Sequence, residues 1–257
     1  MASIEDDPLH LESEEPEKGQ QALIRTTKSI VIRSDAGTIL DPTVISPRFF
    51  NAFNHSLVAP DQSGMSITIG VTSAHPGEGK TIVAANLAVS TAVATERDTV
   101  IVDFNPRQPK LHTVFGVDIR PGLADALADP SIHVARTNVK NLYVMTAGNV
   151  RKMGIVPEGS GKGGPKSNGS TSQSSLMFIS SFRDVLYSLQ QEFAFVILDM
   201  GAASDPALPA IFAQQVNGLL VVIDSNRTTR ENVDYVLNRF GADRVRGFVL
   251  NRVPGHV

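Results

Sequence analysis

From Ser66 onward, short apolar runs alternate with longer segments whose apolar residues recur at helical spacing. The runs are Ile67–Thr72, Thr99–Phe104, Leu142–Thr146, Phe195–Asp199, Leu219–Ile223 and Gly247–Leu250. Their Val, Ile and Leu content is the pattern of strands buried on both faces of a parallel sheet. Between them, Ile82–Ala94 is an apolar helical pattern. Phe178, Phe182, Leu186 and Leu189 mark one helix face, as do Val233, Val236, Leu237 and Phe240. Strands alternating with helices predict an α/β fold, a doubly wound and mostly parallel sheet with helices on both faces. Right-handed crossovers bring the C-terminal strand ends to one edge, where ligands bind.

The regular pattern fails in two places. Residues 1–21 read as a disordered acidic leader, and 22–257 as a single domain. Within residues 22–60, Ser29–Ile32 suits a short strand and Pro47–Leu57 a short helix. At about 157–175, Pro157 to Ser175 is Gly/Ser-rich without apolar periodicity and reads as a flexible insert, either inert or a lid.

Composition changes this picture little. The 257 residues suffice for a real core, and 42% hydrophobic with 19% charged residues is ordinary for a globular protein. Without cysteine there are neither disulfides nor thiolate metal sites. No secretory signal is visible, and Ile82–Ala94 is too short to cross a bilayer, so a cytoplasmic place is expected, with any membrane role passing through a partner. The net charge of −3 is uneven: seven acids and one lysine in the first 18 residues give −6, leaving +3 elsewhere. That weakly basic remainder makes no case for nucleic-acid binding.

The chemistry lies in Ala74-His75-Pro76-Gly77-Glu78-Gly79-Lys80-Thr81, between an apolar run and a helical pattern. Strand, glycine-bearing loop, Lys-Thr and helix is the layout of a nucleotide phosphate site. Gly77 and Gly79 let backbone N–H groups wrap phosphate, and the helix start adds unpaired donors. Lys80 would reach the outer phosphates, and the Thr81 hydroxyl would sit on Mg²⁺. Ala74 stands where the usual pattern has glycine. The plainer alternative is a glycine turn before a helix. Two apolar runs end in aspartate, at Asp103 and Asp199. On the ligand edge of such a sheet these would hold Mg²⁺ directly or through water, or else cap a following turn. His75 and His112 suit exposed or structural positions better than catalytic ones.

Asp103-Phe104-Asn105-Pro106-Arg107-Gln108-Pro109-Lys110-Leu111-His112-Thr113-Val114-Phe115-Gly116 closely resembles the second nucleotide motif of the bacterial tyrosine kinases of capsular and exopolysaccharide synthesis. Asp103, Arg107, Pro109, Leu111, His112, Phe115 and Gly116 match it, and Pro76–Thr81 resembles that family's phosphate loop. The likeness covers about residues 45–254. It implies a P-loop NTPase fold and ATP with Mg²⁺ as cofactors. Gly77, Glu78, Gly79, Lys80, Thr81, Ile82 and Arg107 would lie around the nucleotide, with Asn251 near the adenine. Thr81, Asp103 and Asp199 would serve the metal, and Lys80, Asp103 and the position of Asn105 the transfer itself. The implied partner is a membrane-spanning chain-length or co-polymerase protein of polysaccharide export, with a homo-oligomer also in view. Partitioning ATPases of the Min/Par type share the fold but carry a signature lysine where His75 stands.

The departures are specific. Asn105 replaces the family's second aspartate, keeping an acceptor oxygen but losing the charge and any role as a base. Asp199 is followed by Met200-Gly201-Ala202 in place of a proline pair. Tyr143, Tyr187 and Tyr235 fall on expected strands and helices, and none of the three is expected to form the family's terminal tyrosine cluster. After Ser46-Pro47, Asn51 and Asn54 take the places of a Glu/Arg pair used in ring assembly. Two functions follow as expectations: a tyrosine kinase or ATPase, or an ATP-dependent binding module that transfers little phosphate.

Overall fold

Each of the six apolar runs is a strand in the computed structural model, which describes residues 29–37, 65–153, 171–206 and 210–253. The strands are β1 (Ser29–Gly37), β2 (Ile67–Ser73), β3 (Thr99–Phe104), β4 (Ser131–Thr137), β5 (Leu142–Met145), β6 (Phe195–Met200), β7 (Gly218–Asp224) and β8 (Val245–Asn251). They form one sheet in the order β1-β4-β5-β3-β6-β2-β7-β8. Every pairing is parallel except β4 with β5. The helices are α1 (Lys80–Thr95), α2 (Leu111–Phe115), α3 (Leu123–Ala126), α4 (Thr171–Glu192) and α5 (Arg230–Phe240).

β4 has no continuous apolar run to announce it. Buried Ile132 and Val134 alternate with half-buried Ser131 and His133. The Ser29–Ile32 run belongs to the longer β1. The Gly/Ser insert is shorter than its composition indicates, because residues 171–175 belong to α4. The rest of the insert from 157 to 170, the acidic leader and Pro47–Leu57 lie outside the described residues.

Helices cover both faces. On one, Phe104 stacks on Phe182 of α4 at 4.5 Å, and Phe212 meets both rings edge-on at 4.9 and 5.1 Å. Truncating a buried ring such as Phe182 to alanine costs about 3–5 kcal/mol. On the other, Val83, Leu87 and Ala88 of α1 pack on Ile69, Val71, Ile101 and Ile197. α1 is buried along most of its length, which explains its Ala and Val content where an amphipathic helix would carry a polar stripe. At Gly70 on β2, a Cβ would stand 2.5 Å from Met200 Sδ and 2.7 Å from Leu219 Cδ2. The missing side chain thus gives Met200, next to Asp199, its place in the core.

Candidate functional site

β2 lies between β6 and β7, and its C-terminal end runs straight into the loop before α1. Gly77 and Gly79 adopt φ of +85° and +94°, the left-handed region that costs other residues about 1–2 kcal/mol. Gly79 has a second constraint, since a Cβ would meet Asn251 Nδ2 at 2.1 Å. The loop therefore closes tightly, and α1 begins at Lys80 with the unpaired N–H groups of a helix start.

The two strand-end carboxylates come together. Asp103 is directly opposite Asp199 in the β3–β6 ladder, and Asp199 is also opposite Val71 of β2. Both are fully buried. Asp103 Oδ1 accepts the Asn105 N–H at 3.2 Å, and Oδ2 accepts those of Lys110 and Leu111 at 2.9 and 3.0 Å. This carboxylate shapes the 105–111 turn and caps the start of α2. Asp199 has no hydrogen-bond donor on either oxygen. The Thr81 hydroxyl is near enough to favour its charged form but is not placed to make that bond.

Burial pushes Asp103 up to about 8, with Asp199 adding repulsion and the three amides opposing it. Burial also pushes Asp199 up to about 6, against Thr81, Lys80 and Lys110. Lys80 is lowered from the ordinary lysine value by burial, while Asp199 and Glu78 hold it up. At 5% exposure Lys80 is not the solvent-facing side chain expected of a loop lysine. A buried ammonium, an unpartnered carboxylate and a hydroxyl thus face one another at the end of the loop. Hard oxygen donors of this kind suit Mg²⁺, which is usually held by one or two carboxylates together with phosphate oxygens. Among the described residues no cluster of three or more His, Cys, Asp or Glu side chains is placed to hold a metal unaided.

A cleft of ≈ 280 Å³ opens beside this group, lined by Gly77, Gly79, Lys80, Thr81, Ile82 and Asn105. Ile82 is 43% exposed at its lip, and Asn105 is buried. Other assigned residues stand differently. The Glu78 carboxylate turns inward, accepting the His75 N–H at 2.9 Å and the Thr228 hydroxyl. Asn251 donates from Nδ2 to the Glu78 carbonyl at 2.9 Å and so braces the loop from β8. Arg107 reaches across to Asp205 at 3.3 Å. His75 is exposed; His112 is half-buried, with Nε2 3.2 Å from the Thr113 hydroxyl. Tyr143 lies on β5, Tyr187 on α4 and Tyr235 on α5.

Gln108, Lys110 and Arg252 also line the cleft without having been singled out in the sequence. Asp224 ends β7 in the run Val221-Val222-Ile223-Asp224, so the rule that found Asp103 and Asp199 would have found it. Its carboxyl is lowered by the Asn226 amide first and by Arg252, whose Nη1 is 2.5 Å from Oδ2.

A mostly parallel sheet with this loop between strand and helix defines the α/β fold of the P-loop ATPases. Comparison with known proteins narrows the class. No protein-family model matches the chain. CapB of Staphylococcus aureus is 26% identical over 190 residues, 72% of this chain and 74% of that protein. Tyrosine-protein kinase YwqD of Bacillus subtilis is 25% identical over 213 residues, 79% of this chain and 81% of the kinase. The succinoglycan biosynthesis transport protein ExoP of Rhizobium meliloti is 26% identical over 216 residues, but the match spans only 26% of ExoP. Among solved structures, the chimerical protein CapA2B2 superposes with a TM-score of 0.65 at 24% identity, covering 85% of this chain and 93% of that one. The VpsO kinase domain gives 0.63 at 24% identity, covering 82% and 95%. A plasmid partition protein from Borrelia burgdorferi gives 0.50 at 12% identity, covering 74% and 83%. These structures establish the shared fold, and the sequence relatives include bacterial tyrosine kinases. The chain is similar in sequence to those kinases over most of its length.

Proposed function

We propose that this chain binds Mg-ATP at the Gly77–Thr81 loop and acts as a P-loop kinase or ATPase in exopolysaccharide or capsule biosynthesis, beside the inner face of the membrane. The observation that supports this most is Asp199, whose two buried oxygens lack donors next to Thr81 and Lys80. An unsatisfied buried carboxylate is costly unless a ligand or ion completes it. In this reading Lys80 would meet the outer phosphates, Thr81 and Asp199 would hold Mg²⁺, and Asp103 would serve the metal while fixing the 105–111 turn. Mg²⁺, when bound, would neutralise charge on the phosphate oxygens. Ile82 and Arg107 border the nucleotide, and Asn251 acts through the loop carbonyl it holds. Phosphoryl transfer is chiefly positioning and charge neutralisation, so these groups could sustain slow turnover.

One observation favours a second reading. Asn105 is buried in the cleft wall and cannot serve as a base. A general base contributes about 10²–10⁴ in rate, so a site can bind tightly and transfer little. The chain would then be a nucleotide-gated binding module for a membrane-spanning co-polymerase. Incubation with labelled Mg-ATP, with and without that partner's cytoplasmic tail, separates the readings. Released phosphate or phosphotyrosine supports the enzyme. Tight binding without either supports the module, and no binding overturns both.

A further inference from the structure

The phosphate loop is held from behind by a closed ring of hydrogen bonds. The Thr228 hydroxyl donates to Glu78 Oε1 and accepts the Asp224 N–H at 2.9 Å. Asp224 Oδ2 receives Arg252 Nη1 at 2.5 Å. The Arg252 N–H donates to Asn251 Oδ1 at 3.0 Å, and Asn251 Nδ2 returns to the Glu78 carbonyl at 2.9 Å. Glu78 is therefore gripped at its side chain and at its backbone by two different segments, the β7–α5 turn and the end of β8. Its second carboxylate oxygen holds the His75 N–H, so the grip reaches the first half of the loop as well. Glu78 is 1% exposed and Asp224 is fully buried, so each would be poorly solvated without these partners. Arg252 has φ of +59°, a conformation non-glycine residues seldom adopt. Both the Ser225 hydroxyl and Asn226 Nδ2 bond its carbonyl, at 2.7 and 3.1 Å, and hold it there.

We infer that Thr228 and Asn251 are positioning residues that set the phosphate loop in its binding shape before any ligand arrives. Neither needs to touch phosphate: Thr228 acts through the Glu78 side chain and Asn251 through the Glu78 carbonyl. The inference rests on the loop being a nucleotide site and adds what makes it preformed. A loop that must be ordered by its ligand binds more weakly by the fraction of time it spends in the competent shape.

The test uses the full chain with Thr228→Val, which keeps the shape and removes the hydroxyl, and Thr228→Ser, which restores it. Hydrogen exchange of amides 75–81 is measured without ligand, and Mg-ADP affinity by calorimetry. Thr228→Val is expected to speed exchange in the loop, leave β3 and β6 protected, and weaken Mg-ADP by about tenfold, as a tenfold loss of competent population requires. Thr228→Ser should recover both. Asn251→Ala opens the ring from the other side and should loosen the same amides, which decides the matter should the valine variant fail to fold. Unchanged loop exchange in both variants overturns the inference. So does faster exchange with unaltered affinity, or loss throughout the sheet that serine does not recover. Should the wild-type chain bind no nucleotide, the functional proposal fails, while loop exchange still decides whether the ring presets the loop.

Discussion

Asp103 and Asp199 occupy paired positions on neighbouring parallel strands, both fully buried, and only Asp103 has hydrogen-bond donors. Two carboxyls in one dry site resist simultaneous ionisation, and burial moves both upward, to about 8 and about 6. A carboxyl raised on folding favours the folded state at low pH. It loses that contribution as pH climbs from the ordinary carboxylate range through its folded value. The metal-free protein should therefore lose stability between about pH 4 and pH 8. Asp199→Asn should flatten this slope in thermal melts and gain about 1–2 kcal/mol at the alkaline end. A lower melting temperature than wild type at the alkaline end would count against the assignment. Saturating Mg-nucleotide should reverse the slope, because ligation needs the deprotonated form.

Lys80→Met separates binding from folding. The ammonium is buried and held below the ordinary lysine value, so a neutral side chain of similar length relieves desolvation in the ligand-free protein. Its melting temperature should stay at or above that of wild type. Nucleotide affinity should fall by about 10–100-fold, the worth of a charge-assisted contact. Calorimetry that returns wild-type affinity would remove Lys80 from the site.

Asn105→Asp asks whether transfer lacks only a base. A carboxylate here would stand beside Asp103 and face the cleft. Transfer from labelled Mg-ATP should rise by about 10² or more if the base was the missing element. No rise would mean that positioning, and not proton removal, limits the reaction.

Gly79→Ala carries two separable penalties. The left-handed backbone costs about 1–2 kcal/mol for any side chain, and the new methyl would collide with Asn251 Nδ2 at 2.1 Å. In an Asn251→Ala background the collision vanishes and the backbone cost remains. Denaturant melts of both singles and the double should therefore be non-additive, the double being more stable than the sum allows. Additive losses would mean that the asparagine yields freely.

The central strands and the loop were legible because parallel strands buried on both faces write continuous apolar runs, and because a phosphate loop needs glycine at fixed places. β4 was not, since a strand alternating Ile132 and Val134 with polar neighbours writes a weaker pattern. Asp103 and Asp199 were each visible at a strand end, but their pairing depends on register and on strand order, which no local pattern records. Glu78 belonged to the loop by sequence, yet its orientation depends on Thr228, 150 positions away. The burial of Lys80 likewise comes from neighbours distant in the chain, among them Asp199.

The separation between Glu78 and Asn251 sets a timetable. The loop is translated before β8, and the bond that closes it from there joins residues 173 positions apart. At about 5–20 residues per second, the ribosome takes roughly 10–35 s to supply the second partner. Until then a nascent chain can carry every phosphate-loop residue without holding the loop in its finished form. On the proposed reading, nucleotide capture would wait for β8, and chains still lacking that strand would compete poorly for ATP.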